Sequence, residues 1–161
     1  MTMKTYQSFG AMARAFERIS LEMDAGFAVA MEKSAVLVET AAKAEIGHYQ
    51  REDMGPFNPW PELQESTKRA HAFAIADGKA ATDAGINTPE LVTGKMREDI
   101  GHVSTSQGFE VGGDEILKYQ ELGTSRIPPR PVLGPALYRS TPAILAIVGE
   151  MTESTLAGEK P

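Results

Sequence analysis

The sequence predicts an α+β fold: a long N-terminal helix, a small antiparallel sheet or hairpin, a C-terminal helix and a long irregular central loop. Three observations predict it. Apolar residues recur at helical spacing through the first fifty residues, with no proline before Pro56. Strand-like alternation is scarce and concentrates between Gly101 and Gly112. A second apolar stripe at helical spacing runs from about Gly134 to Ala157, with Pro135 suited to its first turn.

In the N-terminal region, Phe9, Met12, Phe16, Ile19, Met23, Ala30, Leu37, Ala41 and Ala44 follow steps of three, four or seven. Ala, Glu, Met and Lys between them favour helix. Gly26 is the weak point, where a kink or break is expected, and Gly47 is a stop signal. A helix of about 40 residues extends roughly 60 Å, longer than one domain of this mass covers. Either the helix breaks, its stripe is buried in the chain's own core, or part of the stripe packs on another subunit.

Residues 51–93 read as a proline- and glycine-rich loop insertion. Pro56, Pro59 and Pro61 exclude helix around Trp60. The run Pro61–Lys68 suits the start of a short helix, and Asp77–Thr88 reads as a loop or mobile insertion. Residues 94–157 hold the hairpin plus helices. Thr93–Ile100 is a turn into a short helix. Gly101–Thr105 and Gln107–Gly112 pair about Ser106–Gly108, with Val103, Phe109 and Val111 as the apolar positions. Asp114–Leu122 is a helix capped by Asp114 and ended by Gly123. Thr124–Pro131 is an extended, proline-stiffened connector. In the last helix Leu137, Ile144, Leu145, Val148, Met151 and Leu156 are apolar, and Pro142 is expected to kink or restart it. Residues 158–161 are expected to fray. The chain of 161 residues thus reads as a single domain.

Composition narrows the function. A formal charge of −6, from 22 acidic and 16 basic residues, argues against a main task of gripping nucleic-acid phosphates. The absence of Cys removes disulfide scaffolds, thiolate metal sites and cysteine nucleophiles. No apolar run approaches the ~18 residues of a membrane helix. Met1–Gly10 lacks a signal layout, so a reducing cytoplasm is the expected compartment.

Motifs for catalysis are nearly absent, and no cofactor or metal is expected. His48, His71 and His102 are far apart and have no metal-ligand spacing. Gly94-Lys95-Met96 fails as a phosphate loop, with Pro89 upstream and Met96 in place of a hydroxyl residue. Gly112–Glu115 is explained by a helix start with acidic first-turn residues. Pro128-Pro129-Arg130-Pro131 is either a ligand for an aromatic-groove domain or a rigid connector. Trp60, held between two prolines, anchors its loop to the core or to a partner.

Four stretches carry a family resemblance. Tyr119-Gln120-Glu121-Leu122-Gly123-Thr124-Ser125, followed by Ile127-Pro128-Pro129-Arg130-Pro131-Val132-Leu133-Gly134-Pro135-Ala136-Leu137, closely resembles tailed-bacteriophage tail-component proteins. There a Tyr, a Glu-x-Gly-Thr turn and a Pro-x-Arg-Pro segment precede the last helix. Trp60-Pro61-Glu62-Leu63 with Thr67, and Leu91–Arg97 with Ile100, resemble the related virion-morphogenesis, or tail-completion, proteins. Val38–Ala44 in the first helix fits as well. The resemblance spans residues 31 to 140. Val132 stands where an aromatic is common, and residues 1–30 have no counterpart.

The resemblance implies a non-enzymatic part of the virion neck or upper tail, present in the host cytoplasm during assembly. Such a protein completes the tail and joins it to the head as a homo-oligomeric ring, here expected to be hexameric. Its neighbours are head-closure or connector, tail-terminator and tail-tube proteins, and genomic DNA passes through the lumen without specific binding. Trp60, Tyr119, Glu121, Gly123, Thr124, Pro128, Arg130 and Pro131 are then interface or structural residues. Arg130 pairs with a carboxylate, in its own chain or a neighbour, or caps carbonyls near Leu122, and Arg126 is its companion. The alternatives are a tail terminator that caps tail-tube polymerisation and a proline-motif adaptor.

Overall fold

The computed structural model describes residues 5–158. Its elements are helix α1 (Phe9–Glu45), α2 (Glu65–Ala76), α3 (Lys95–Asp99), strands β1 (Gly101–Thr105) and β2 (Gly108–Gly112), α4 (Glu115–Leu122) and α5 (Leu133–Ala157). The architecture is α+β, with one two-stranded antiparallel sheet. The fraying expected of the C-terminus lies, beyond Gly158, outside the described residues.

α1 starts where the Ser8 hydroxyl accepts the Ala11 N–H. It then runs unbroken for 37 residues, with no break at Gly26. Gly26 has a packing role instead. α5 lies antiparallel against α1, Met151 meeting Gly26 near one end and Arg139 pairing with Glu45 near the other. A Cβ on Gly26 would stand 2.7 Å from the Met151 Sδ, so only glycine allows this approach with Met151 as placed.

The buried seam of α1 is Gly26, Ala30, Ser34, Val38 and Ala42, with Ala35 and Glu45 beside it. It is rotated from the stripe that the large apolar residues suggest. Of those, Ala30 is buried, Leu37 and Ala41 are half-buried, and Phe9, Phe16 and Ala44 are exposed. Small side chains every four residues let a second helix settle into the groove, and that close packing outweighs the size of single residues. Ser34 meets the burial of its hydroxyl by donating to the Ala30 carbonyl at 2.7 Å.

The core gathers Val38, Ala42 and Ile46 from the end of α1 with Trp60, Leu91, Ile100, Leu117, Val132 and Ala136. Trp60 is thus a core anchor. The region expected as a loop insertion therefore supplies two core residues, Trp60 and Leu91, and it also carries the 12-residue α2. Its glycine-rich part is tied down by Arg97 to Asp83, Ala81 N–H to the Val92 carbonyl, and the Tyr49 hydroxyl to Asn87.

β1 and β2 pair His102 with Val111 and Ser104 with Phe109. Phe109 and Val111 pack on the core as expected. Val103 does not: it pairs with Glu110 on the opposite face and is exposed, because adjacent strand residues point to opposite sides. Pro142 lies exposed inside α5 and does not end it. Among the described residues no helix is long and apolar enough to cross a membrane.

Candidate functional site

The segment from α4 to α5 folds as a clamp. Asp114 caps α4 by accepting the Leu117 N–H at 3.0 Å. Gly123 ends it at φ 70°, ψ 174°, backbone that side-chain-bearing residues avoid. A Cβ there would also lie 2.9 Å from the Pro129 nitrogen and 3.0 Å from the Ile127 oxygen. The turn that follows is closed by Thr124, whose N–H donates to the Ile127 carbonyl and whose hydroxyl accepts the N–H groups of Arg126 and Ile127. The chain then returns past α4, and the Arg130 N–H donates to the Gln120 carbonyl at 2.7 Å.

Glu121 closes the clamp. One carboxylate oxygen accepts the N–H groups of Val132 and Leu133 at 2.7 and 2.9 Å, and the other accepts Gly134 at 2.9 Å. The N-cap residue of α5, Val132, has no side chain able to cap. Glu121 supplies the missing acceptor and places a negative charge on the positive end of the helix dipole. The Glu-x-Gly-Thr turn and the Pro-x-Arg-Pro segment are therefore two halves of one junction.

Arg130 lies inside that junction at 8 % exposure. Its Nη2 donates to the Pro61 carbonyl at 3.1 Å, which bolts the Trp60 loop to the α4–α5 connector. The carbonyl it caps thus lies on the Trp60 loop and not near Leu122, and among the described residues no carboxylate is within ion-pair distance of it. Arg126 is exposed. Tyr119 is exposed too, its hydroxyl donating to Glu115. Pro128 is exposed and Pro131 half-buried.

Beside the junction is a cleft of about 600 Å³, between α2, the loop leading into α3, and residues 126–130. His71, Glu90, Gln120 and Arg130 reach it. Glu90 is the outlier, a non-glycine residue at φ 62°. Both of its carboxylate oxygens are buried without a hydrogen-bond partner. Burial pushes its carboxyl up to about 8; Arg130 offsets part of that effect and Glu121 adds to it.

A second polar cluster joins the hairpin to α1. The His102 ring bridges Glu39 through Nδ1 and Glu32 through Nε2, and the Ser104 hydroxyl donates to Glu32 at 2.6 Å. Lys43 also contacts Glu39. The two carboxylates hold the His102 ring above the ordinary histidine range. Ser104 and His102 hold Glu32 low, and Lys43 and His102 hold Glu39 low.

α1 supplies a third feature. Its 37 residues reach about 55 Å, against about 37 Å for the 25 residues of α5. Because α5 ends beside Gly26, the first turns of α1 project beyond it, and Gly26 is the first buried residue of the helix. Phe9, Phe16 and Leu21 on this overhang are 81 %, 61 % and 67 % exposed.

Of the residues singled out from the sequence, Glu121, Gly123, Thr124 and Arg130 meet in the junction, and Arg130 ties it to the Trp60 loop. Tyr119, Pro128 and Pro131 contribute no side-chain hydrogen bond to it. Glu90, His71 and Gln120 were not legible as a group, since they come from three segments without a shared spacing. Among the described residues no group of three or more His, Asp or Glu side chains is arranged to hold a metal ion. No family model matches the chain, and no curated protein or solved structure is significantly similar to it.

Proposed function

We propose that this chain is a structural subunit of a phage neck or upper tail, completing the tail and joining it to the head as a homo-oligomeric ring around the DNA channel. The observation that carries the reading is the α1 overhang. A helix that presents Phe9, Phe16 and Leu21 to solvent beyond the end of its intramolecular partner is suited to packing on a neighbouring copy. The tail-like motif supports it from the other side. Tyr119–Leu137 forms a stiff junction held by backbone contacts to Glu121, which sets the direction of α5 and so of any subunit stacked on it. An acidic chain lining a passage would repel DNA phosphates and let them slide.

The adaptor reading is less well supported. A proline motif presented to an aromatic groove needs its arginine free, and Arg130 is buried against Pro61. The tail-terminator reading shares the ring and differs only in position.

Particles assembled without this chain test the proposal. Full heads that fail to join tails are expected, and tails of uncontrolled length point to the terminator. Normal infectious particles overturn both. In the purified chain, Phe9→Asp with Phe16→Asp is expected to shift sedimentation toward the monomer without changing the unfolding midpoint.

A further inference from the structure

We propose that the cleft beside the α4–α5 junction is a receptor for a guanidinium or ammonium group carried on a polypeptide side chain, with Glu90 and Gln120 as its acceptors. The inventory of unpartnered atoms sets the chemistry. Both carboxyl oxygens of Glu90, which are two acceptors once the group is ionised, and the Oε1 of Gln120 are buried without a partner. Against them, among the residues that line the cleft, stands one buried donor without an acceptor, the Nε of Arg130, while the Nδ1 of His71 serves as either. His71 and Arg130 are 94 % and 92 % buried by their 6 % and 8 % exposure, so these are walls of the cleft and not surface groups. Native interiors rarely leave so many polar atoms unpaired in one place, and such a group calls for a partner.

Excess acceptors want a donor-rich head. A guanidinium offers five N–H donors in a planar fork that matches a carboxylate, and an ammonium offers three. Burial keeps the Glu90 carboxyl of the free chain protonated, so an incoming cation binds with release of that proton and sits against the resulting carboxylate, while Arg130 commits its Nη2 to Pro61. A neutral amide supplies fewer donors and cannot draw the proton off Glu90. The mouth fits the rest of such a side chain. Ile116 and Ile127 are exposed there, a surface for the methylene stem of Arg or Lys. The backbone of Glu90 points the same way. Pro89 is fully buried, its carbonyl takes the Gly47 N–H at 2.9 Å, and the next residue is held at positive φ. Strain held in place by its surroundings is a mark of functional positions.

The inference stands independently of the ring, since the cation is recognised by the cleft whatever protein carries it. Calorimetric titration of the full chain with N-acetyl-arginine amide, beside the isosteric N-acetyl-citrulline amide, tests it. Saturable binding at one site per chain is expected for the arginine probe, with movement of the His71 ring resonances. The citrulline probe and the Glu90→Gln variant should each bind roughly tenfold more weakly or worse, the loss of one charge-assisted pair. Equal binding of the two probes by the wild-type chain overturns the proposal, as does binding that leaves His71 unmoved or no saturable binding at all. Sedimentation of Glu90→Gln identifies the source. Self-association weakened by this substitution places the cation on a second copy, and unchanged self-association places it on a different protein.

Discussion

The Oε2 atom of Glu121 accepts the backbone N–H groups of both Val132 and Leu133, so one side chain of α4 caps the helix that begins twelve residues later. A cap from within the same turn would fix only the start of α5. A cap from α4 fixes the angle between two helices.

Removing that acceptor orphans three N–H groups at once. Glu121→Ala should cost about 2–4 kcal/mol, a charge-assisted cap lost together with buried donors left unpaired. Glu121→Gln, which keeps one acceptor oxygen, should cost roughly half as much. Urea unfolding midpoints for the two variants check the order, and equal, near-wild-type midpoints would show that the clamp contributes nothing.

Gly123 is the position of the junction with least tolerance. Gly123→Ala places a methyl against the Pro129 nitrogen and the Ile127 oxygen, backbone atoms that cannot swing aside, at a φ of 70°. A loss of about 3 kcal/mol or more is expected. Thr124→Ala removes only the hydroxyl acceptor of the turn and should cost about 1 kcal/mol. Thermal unfolding of both variants would reveal a reversed order.

The His102 cluster makes the hairpin's attachment depend on pH. The ring's folded pKa is raised above the ordinary 6.5, so its contribution is complete below that value and is lost as pH rises through the folded pKa. Glu32 and Glu39 have lowered folded pKa values, so theirs is complete above 4.5 and is lost as pH falls through those values. The attachment is therefore strongest between 4.5 and 6.5. The unfolding midpoints of wild type and His102→Gln should differ most in that window and converge toward alkaline pH; a constant difference from roughly pH 5 to pH 9 removes the coupling.

Glu90 acts in the opposite sense. Its folded pKa of about 8 lies above the ordinary 4.5, so the unfolded chain gives up the proton first and stability falls as pH rises across that window. Glu90→Gln removes the slope. It should stabilise the free chain on the order of 3 kcal/mol near pH 8 and change little near pH 4. Urea titrations at the two pH values check this, and a Gln variant less stable at pH 8 would mean that the carboxylate is already compensated.

Much of the fold follows from local patterns. The hairpin ends, the Asp114 cap and the Gly123 stop appear in the sequence because each depends on neighbours within a few residues. α1 is legible in extent but not in orientation. Phe9 and Phe16 are the larger apolar residues, yet Gly26, Ala30 and Ser34 are the ones buried, since burial in a helix pair depends on how closely the partner approaches. Val103 shows the same limit in a strand, where the face turned inward holds His102 and Ser104 because Glu39 and Glu32 wait on α1.

By itself, then, the sequence determined the α+β order of elements, the proline-stiffened connector and the Glu121–Pro131 motif as a unit of interest. Only the tertiary structure decided what that motif holds, by carrying the Glu121 carboxylate to the start of α5 and the Arg130 guanidinium to Pro61. It alone assembled the cleft, whose His71, Glu90 and Gln120 are distant in the chain. The physical reason is range. Caps, turns and helix periods are set by contacts a few residues apart, whereas unpaired buried charges and overhanging apolar faces exist only after distant segments have packed.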